Sequence, residues 1–150
     1  MTQQPKEERI DKVSPVFTQT LHHIVFAYHF SCQYIKDTLQ PYGITPQQYN
    51  VLKILRTQYP SPSTINLIKS RIIDQMSDAS RIVDRLIFKG YLEKKTNPYD
   101  KRAVAIIITE KGLSLLKKVD RETDLSSVVS TYLTEEEALQ LNSLLTKMRR

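Results

Sequence analysis

The stretch Thr64–Gly90, TINLIKSRIIDQMSDASRIVDRLIFKG, decides the fold because it encodes two short helices separated by a turn. Ser63 or Thr64 can cap the first helix, which is predicted to end near Ile72. A polar turn follows, and Ser77 can cap a second helix that reaches Lys89. Two short helices joined in this way predict a helix-turn-helix motif.

The second helix divides into an apolar face and a polar face. At about 100° per residue, one stripe holds the residues expected to pack inward, namely Ala79, Ile82, Val83 and Leu86. The opposite side and its flanks hold Ser77, Ser80, Arg81, Asp84, Arg85 and Phe88. Arginine can bond a guanine edge bidentately and serine can reach a base or a phosphate, so this face suits major-groove contact. The competing interpretation is an ordinary solvated helix face.

Two strand-like runs follow, Tyr91–Lys95 and Ala103–Thr109, and the turn Thr96–Arg102 joins them. A hairpin of this length with a basic exit can reach a flanking minor groove, where arginine is favoured. Asp100 could orient the Arg102 guanidinium, or the two residues could brace the hairpin. The candidate DNA-binding residues of this hairpin are Lys95, Asn97, Lys101 and Arg102.

Helices are predicted on both sides of this central unit. The first extends from Val13 to about Leu39, and a capping box at Thr45 and Gln48 opens the second, which ends near Tyr59. After the hairpin in the sequence, Thr109 caps a helix that extends to roughly Ser130, and a capping box at Thr134 and Glu137 begins the last helix. The predicted fold class is mainly α with a small β-hairpin wing, in the order four helices, a hairpin and two helices.

The net charge of +6 lies entirely in Ile44–Gly112, which has 12 Lys and Arg residues against 6 Asp and Glu, whereas both flanks are neutral. A local surplus of cations attracts polyanions, and DNA is the commonest of these. A lysine-rich solvated surface is the alternative. Because the charge coincides with the helix-turn-helix and the hairpin, the sequence favours double-stranded DNA as the partner.

Composition and motifs exclude several classes of protein. No apolar run approaches the roughly 20 residues needed to cross a membrane, and the charged N-terminus lacks the apolar centre of a signal peptide. A cytoplasmic protein is therefore expected. Because Cys32 is the single cysteine, no internal disulfide framework is possible. The three glycines are dispersed, and no nucleophile elbow or His-Glu-x-x-His pair is present. Neither an enzyme nor a bound cofactor is predicted.

Three motifs in order resemble those of the MarR family of winged-helix transcriptional regulators. The recognition-helix pattern is matched by Ser77–Leu86 followed by Lys89–Leu92. The wing pattern is matched by Asp100-Lys101-Arg102, an apolar strand and Thr109-Glu110-Lys111-Gly112, and Ile44–Tyr49 is similar to the family's second-helix start. The resemblance covers Ile44 to Leu116.

This resemblance implies a homodimer that binds inverted-repeat DNA, with recognition helices in successive major grooves and wings in minor grooves. Residues 1–43 and 113–150 would supply dimerisation helices, and residues 44–112 the DNA-binding lobe. The residues that fall on the recognition helix are Ser77, Asp78, Ser80, Arg81 and Arg85, and Arg102 falls at the wing arginine. A repressor is expected by analogy alone. The last-helix stripe Leu141, Leu144, Leu145 and Met148 could pack between subunits or complete an intramolecular core.

A regulatory ligand is less well defined by the sequence. The first helix carries aromatic residues where the family's small aromatic effectors would bind, but aromatic residues at helical spacing are more often core, so no ligand residue is assigned. His29 and Cys32 share a helix face, yet two ligands do not make a metal site, and His22, two turns away on that face, is too far for the same ion. Cys32 is expected to be a small buried hydrophobe. The rival functions are a protein-interaction module and a small-molecule or metal sensor without specific DNA readout.

Overall fold

The structure is a computed structural model and describes residues 14–96, 99–100, 102 and 104–149. Its elements are α1 (Pro15–Leu39), a single 3-10 turn (Gln40–Tyr42), α2 (Pro46–Gln58), α3 (Ile65–Arg71), α4 (Ala79–Phe88), β1 (Leu92–Thr96), β2 (Val104–Ile108), α5 (Glu110–Glu122), α6 (Ser127–Ser130) and α7 (Glu135–Lys147). The predicted fold class, mainly α with a two-stranded hairpin, is confirmed.

The chain forms two compact units, Met1–Gln33 and Tyr34–Arg150. Within the first, the described residues make up the N-terminal part of α1. The second contains all the other elements and the buried core. That core takes its side chains from the end of α1, from α2 to α5 and from both strands, with Leu52, Ile68, Leu86, Ile106 and Leu116 completely buried. Helix α7 contributes no buried residue.

Both predicted capping boxes are present and explain where two helices begin. The Gln48 amide N–H donates to Thr45 Oγ1 at 3.1 Å, and the Thr45 N–H donates back to Gln48 Oε1 at 3.2 Å. Thr134 and Glu137 exchange the equivalent pair of hydrogen bonds at the start of α7. Each box satisfies two N–H groups that a helix terminus otherwise leaves without partners.

Two predicted boundaries were wrong. Helix α4 is capped by Asp78 and not by Ser77, because the Asp78 carboxylate accepts the Arg81 N–H at 3.2 Å. The helix behind the hairpin was predicted to reach Ser130 but ends at Glu122. There Asp124 Oδ1 accepts both the N–H and the hydroxyl of Ser126, which gives the backbone an alternative to helix. Three helices therefore follow the hairpin in place of the predicted two.

The antiparallel hairpin pairs Leu92 with Ile108 at its base and Thr96 with Val104 at its outer end. Ile106 and Ile108 are buried, so the continuous isoleucine run still alternates between core and surface. Ser63 forms an isolated antiparallel β-bridge with β2, since its N–H donates to the Ile106 carbonyl and its carbonyl accepts the Ile106 N–H, both at 2.7 Å. The hairpin is thereby fixed to the segment between α2 and α3.

The base of the hairpin is joined closely to α5. Gly90 has a φ of +80°, which lets the chain turn from α4 into β1. Thr109 then donates its N–H to the Tyr91 carbonyl at 3.0 Å and caps α5 by accepting the Gly112 N–H. At the end of α2, the Tyr59 hydroxyl donates to the Glu110 carboxylate, and this hydrogen bond raises the pKa of the Tyr59 phenol.

Candidate nucleic-acid interface

Helix α4 has the two faces that the sequence predicted. Ala79, Val83 and Leu86 are buried in the core. Ser80, Arg81 and Arg85 are exposed on the other side. The strong segregation of apolar and polar residues fixes the orientation of the helix about its own axis, because only one face can pack inward. Three of the predicted DNA-binding side chains therefore share one solvent-facing surface.

The other two predicted residues, Ser77 and Asp78, lie just before α4 and make hydrogen bonds within the protein. The Ser77 hydroxyl donates to Asp74 Oδ2 at 2.8 Å, and Asp78 caps the helix. The Asp78 carboxylate also lies 3.4 Å from Arg81 Nε, with both side chains largely exposed. This exposed pair is weak, because solvent screens its attraction, so the Arg81 guanidinium can be redirected toward a stronger anion such as a phosphate.

A shallow groove of about 220 Å³ lies between the start of α2 and the outer face of α4. Both Arg81 and Arg85 line it, facing the polar residues of the α2 capping box. The remaining lining residues are Thr45, Gln47, Gln48, Ser77, Asp78 and Ile82. Among the described residues, no carboxylate lies within ion-pair distance of the Arg85 guanidinium, so its donors face the groove and solvent.

The first strand of the hairpin contributes two lysines with different surroundings. Lys94 Nζ lies 2.9 Å from Asp84 Oδ1, which links β1 to the outer face of α4. Lys95, a predicted DNA-binding residue, lies 3.6 Å from Glu93 and remains exposed. Lys94 is not among the residues predicted from the sequence. A signal for its contact is Asp84, an acid on the outer face of α4 that lies ten positions earlier in the chain.

The turn of the hairpin is described only in part. Arg102 is exposed, and its backbone N–H donates to Asp100 Oδ1 at 2.9 Å. This contact supports the bracing role that was considered for Asp100, because the carboxylate bonds the Arg102 backbone. The candidate residues Asn97 and Lys101 lie outside the described residues.

Three further cations lie close to α4 in the sequence, and they differ in accessibility. Lys69 and Arg71 on α3 are exposed. Lys89 is half-buried, and its ammonium donates to the Gly43 carbonyl at 2.6 Å and to Gln48 Oε1 at 3.2 Å. Two of its three ammonium donors are thus taken by protein oxygens.

The alternative sites on α1 find limited support. Cys32 is exposed, so the expectation of a buried thiol was wrong for the single chain. His22, His23 and His29 are exposed as well. In the part of the chain that the structure describes, no three His, Cys, Asp or Glu side chains are grouped to hold a metal ion. None of the described helices combines the length and apolar character needed to span a membrane.

Comparison with known proteins gives consistent matches. A family model described as a winged helix DNA-binding domain matches residues 44–112. The multiple antibiotic resistance protein MarR of Salmonella typhimurium is 30% identical over 116 residues, which cover 76% of this chain and 79% of that protein. The regulator MhqR of Bacillus subtilis is 27% identical, covering 81% of this chain and 83% of its own.

Solved structures match over most of the chain. A mutant MarR from Escherichia coli complexed with operator DNA has a TM-score of 0.74 at 26% identity, covering 90% of this chain and 99% of that chain. A MarR-like transcription regulator from Bacillus cereus has a TM-score of 0.78 at 22% identity, with 91% and 97% covered. The order of helices and hairpin in this chain is therefore that of known winged-helix regulators.

Proposed function

Since this chain belongs to the MarR family of winged-helix, DNA-binding transcriptional regulators, we propose that it acts as a homodimeric repressor of an inverted-repeat operator. The observation that carries this proposal is the exposed face of α4, where Arg81 and Arg85 border one groove. Two arginines on one face of α4, the second helix of the helix-turn-helix motif, suit contacts with guanine edges and the adjoining phosphates.

We assign base and phosphate contacts in the major groove to the outer face of α4, that is, to Ser77, Asp78, Ser80, Arg81 and Arg85. Arg85 is the strongest candidate for direct readout, because its guanidinium has no competing carboxylate among the described residues. Ser77 and Asp78 act chiefly by fixing the start of the helix, since their side chains bond Asp74 and the Arg81 N–H. Their remaining lone pairs and the exposed Ser80 hydroxyl can accept or donate at the DNA surface.

The hairpin would place its cations along the flanking minor groove. Arg102 and Lys95 are exposed, and Asn97 and Lys101 belong to the same proposed contact set by sequence. The Asp84–Lys94 pair joins the two elements that would contact adjacent grooves, but it is exposed and therefore only supplements the packing of β1 against α4. Arginine is favoured in a narrow minor groove because the negative potential is focused there.

The proposed dimer would use the helices at both ends of the chain, residues 1–43 and 113–150. On α7, four apolar side chains at helical spacing remain exposed in the single chain, at 41% for Leu141, 58% for Leu144, 36% for Leu145 and 64% for Met148. On α1, Phe17, Leu21, Val25 and Tyr28 are exposed at a similar spacing. Apolar surface of this kind is typical of a subunit interface, and its exposure argues against the intramolecular alternative for the α7 stripe.

Repression would be steric, since a dimer bound across a promoter blocks the polymerase. An unidentified signal would release it, and a small aromatic molecule is one candidate for that signal. Such a ligand must prefer a dimer whose recognition helices have a different spacing, because only differential affinity shifts a population between two states. No residue is assigned to this ligand.

Selection of the purified protein against a random duplex DNA pool at about 0.15 M salt tests the proposal. Enrichment of an inverted repeat with half-sites about one helical turn apart is the expected result. Binding without enrichment would indicate that only the phosphate backbone is contacted, and it would favour a protein-interaction or sensor role.

A further inference from the structure

We infer that Lys89 is a positioning residue for DNA recognition, and that it sets the placement of α4 without contacting DNA itself. This inference rests on the proposed sequence-specific binding and adds a residue that governs it. Lys89 lies at the C-terminal end of the recognition helix, in a basic segment, where a lysine would ordinarily be interpreted as a phosphate contact. Its contacts indicate a different role.

The Lys89 ammonium bridges the end of α4 to the start of α2. It donates to the Gly43 carbonyl at 2.6 Å and to the Gln48 side-chain oxygen at 3.2 Å. Gly43 has a φ of +69°, a left-handed conformation that turns its backbone between α1 and α2. Gln48 is only 4% exposed, and the same oxygen accepts the Thr45 N–H. The ammonium therefore has two acceptors, the exposed Gly43 carbonyl and the buried Gln48 side chain.

The backbone of Lys89 is restrained from the other side. Its carbonyl accepts Lys111 Nζ from α5 at 2.8 Å, and the next carbonyl, that of Gly90, accepts the Thr109 hydroxyl at 2.7 Å. One residue therefore connects the end of α4 to the start of α2 through its side chain and to the start of α5 through its backbone. Helix α2 is one of the elements against which the recognition helix packs, together with α3 and β1.

This arrangement matters for readout because helix α4 is short. Its ten residues span about 15 Å, so a shift at Lys89 is transmitted to Arg85, one turn away, and to Ser80 and Arg81 near the other end. Direct readout requires side chains held within about 0.5 Å of the productive geometry. Loss of the bridge should therefore weaken binding to the preferred site while leaving attraction to DNA in general almost unchanged.

The position of the ammonium also separates Lys89 from a phosphate-binding lysine. Lys69 on α3 is exposed and has no hydrogen bond or ion pair among the described residues, whereas Lys89 donates to two protein oxygens. A lysine that neutralises a phosphate releases counterions, so its removal makes the dependence of binding on salt less steep. A lysine whose donors are directed inward releases few or none.

The test compares Lys89→Met with Lys69→Met on the duplex recovered by selection and on a random duplex, at four salt concentrations. For Lys89→Met we expect at least a tenfold loss on the recovered site, unchanged binding to random duplex and an unchanged salt slope. For a phosphate-binding lysine, both affinities fall together and the slope drops by about 1. That second pattern in Lys89→Met, or wild-type affinity for the recovered site, would overturn the inference.

Two further measurements separate positioning from folding. Gln48→Met removes the buried acceptor together with its capping-box bond to the Thr45 N–H, so it is expected to give a selective loss at least as large as that of Lys89→Met, with the double variant no worse than Gln48→Met alone. Lys89→Arg retains a donor and should recover most of the affinity. If wild-type protein shows no site preference, the proposed function itself fails. If the preference exists but neither variant changes it, only the role of Lys89 is refuted.

Discussion

Replacing Gly112 with alanine should destabilise the protein by about 2 kcal/mol. A Cβ at this position would lie 2.5 Å from the Tyr91 carbonyl oxygen and 2.8 Å from Ile108 Cγ1. Neither neighbour can move freely, because the Tyr91 carbonyl accepts the Thr109 N–H and Ile108 is buried. Overpacking of this kind costs about 1–3 kcal/mol, and a clash with backbone belongs at the upper end of that range. The higher helix propensity of alanine offsets about 1 kcal/mol.

Urea unfolding at a fixed subunit concentration measures this loss. With a slope of about 2 kcal/mol per M, the midpoint should fall by about 1 M without a change in slope. Gly43→Ala is the matched control, since nothing lies within 4 Å of its Cβ and only its left-handed backbone opposes alanine. We expect a smaller loss there, about 1 kcal/mol. A Gly112→Ala protein as stable as the wild type would refute the close approach of α5 to the hairpin base.

Three further substitutions test the proposed interface and dimer. Arg102→Ala should weaken DNA binding and lower its salt slope by about 1, as loss of a minor-groove or phosphate cation would; titrations at several salt concentrations that match the wild type would exclude the wing assignment. Arg81→Ala should cost about 1–3 kcal/mol at the recovered site and relax base preference there, whereas an equal loss on all sequences would assign Arg81 to phosphate. Leu144→Glu should dissociate the dimer in sedimentation measurements, because it buries a charge at the subunit interface, while Leu139→Glu on the opposite face of α7 should not. A dimer that survives Leu144→Glu would place the interface elsewhere.

Local signals in the sequence predicted the helix starts well. The capping boxes at Thr45 and Thr134 depend on residues three apart, so the pattern contains the whole interaction. The end of α5 was missed for a similarly local reason. Asp124 bonds the backbone and hydroxyl of Ser126, and this contact competes with helix although apolar spacing continues beyond it. Periodicity indicates which face a helix would bury but not where a side chain interrupts it.

For the candidate interface, the sequence predicted which face of α4 each residue lies on, but not the contacts of each side chain. Helical spacing placed Arg81 and Arg85 on the outer side of α4, because the apolar stripe determines the inner side. It could not distinguish a cation that faces solvent from one that bonds the protein. Lys89 meets Gly43 and Gln48 more than 40 positions earlier in the chain, and Lys94 meets Asp84 across two elements. Such pairings depend on tertiary packing, which neither charge nor periodicity encodes.

The exposed apolar residues of α1 and α7 show a second limit on what residue spacing can predict. Sequence spacing identified their apolar stripes, and the structure leaves most of them in solvent within a single chain. Spacing cannot decide whether such a stripe faces the chain's own core or a second copy. For Cys32 the general preference of cysteine for the interior gave the wrong expectation, because it lies on an exposed part of α1, whose buried residue is Leu39.

Binding to the recovered operator with altered spacing tests the central claim most directly. An insertion of about five base pairs between the half-sites rotates one of them by half a helical turn, so a dimer can no longer contact both on one face of the duplex. We predict that affinity falls to the level of a single half-site, and that an insertion of about ten base pairs does not restore it, because the second half-site then lies about 34 Å farther along the duplex. An affinity that is unchanged by the five-base-pair insertion would contradict a dimer that reads an inverted repeat.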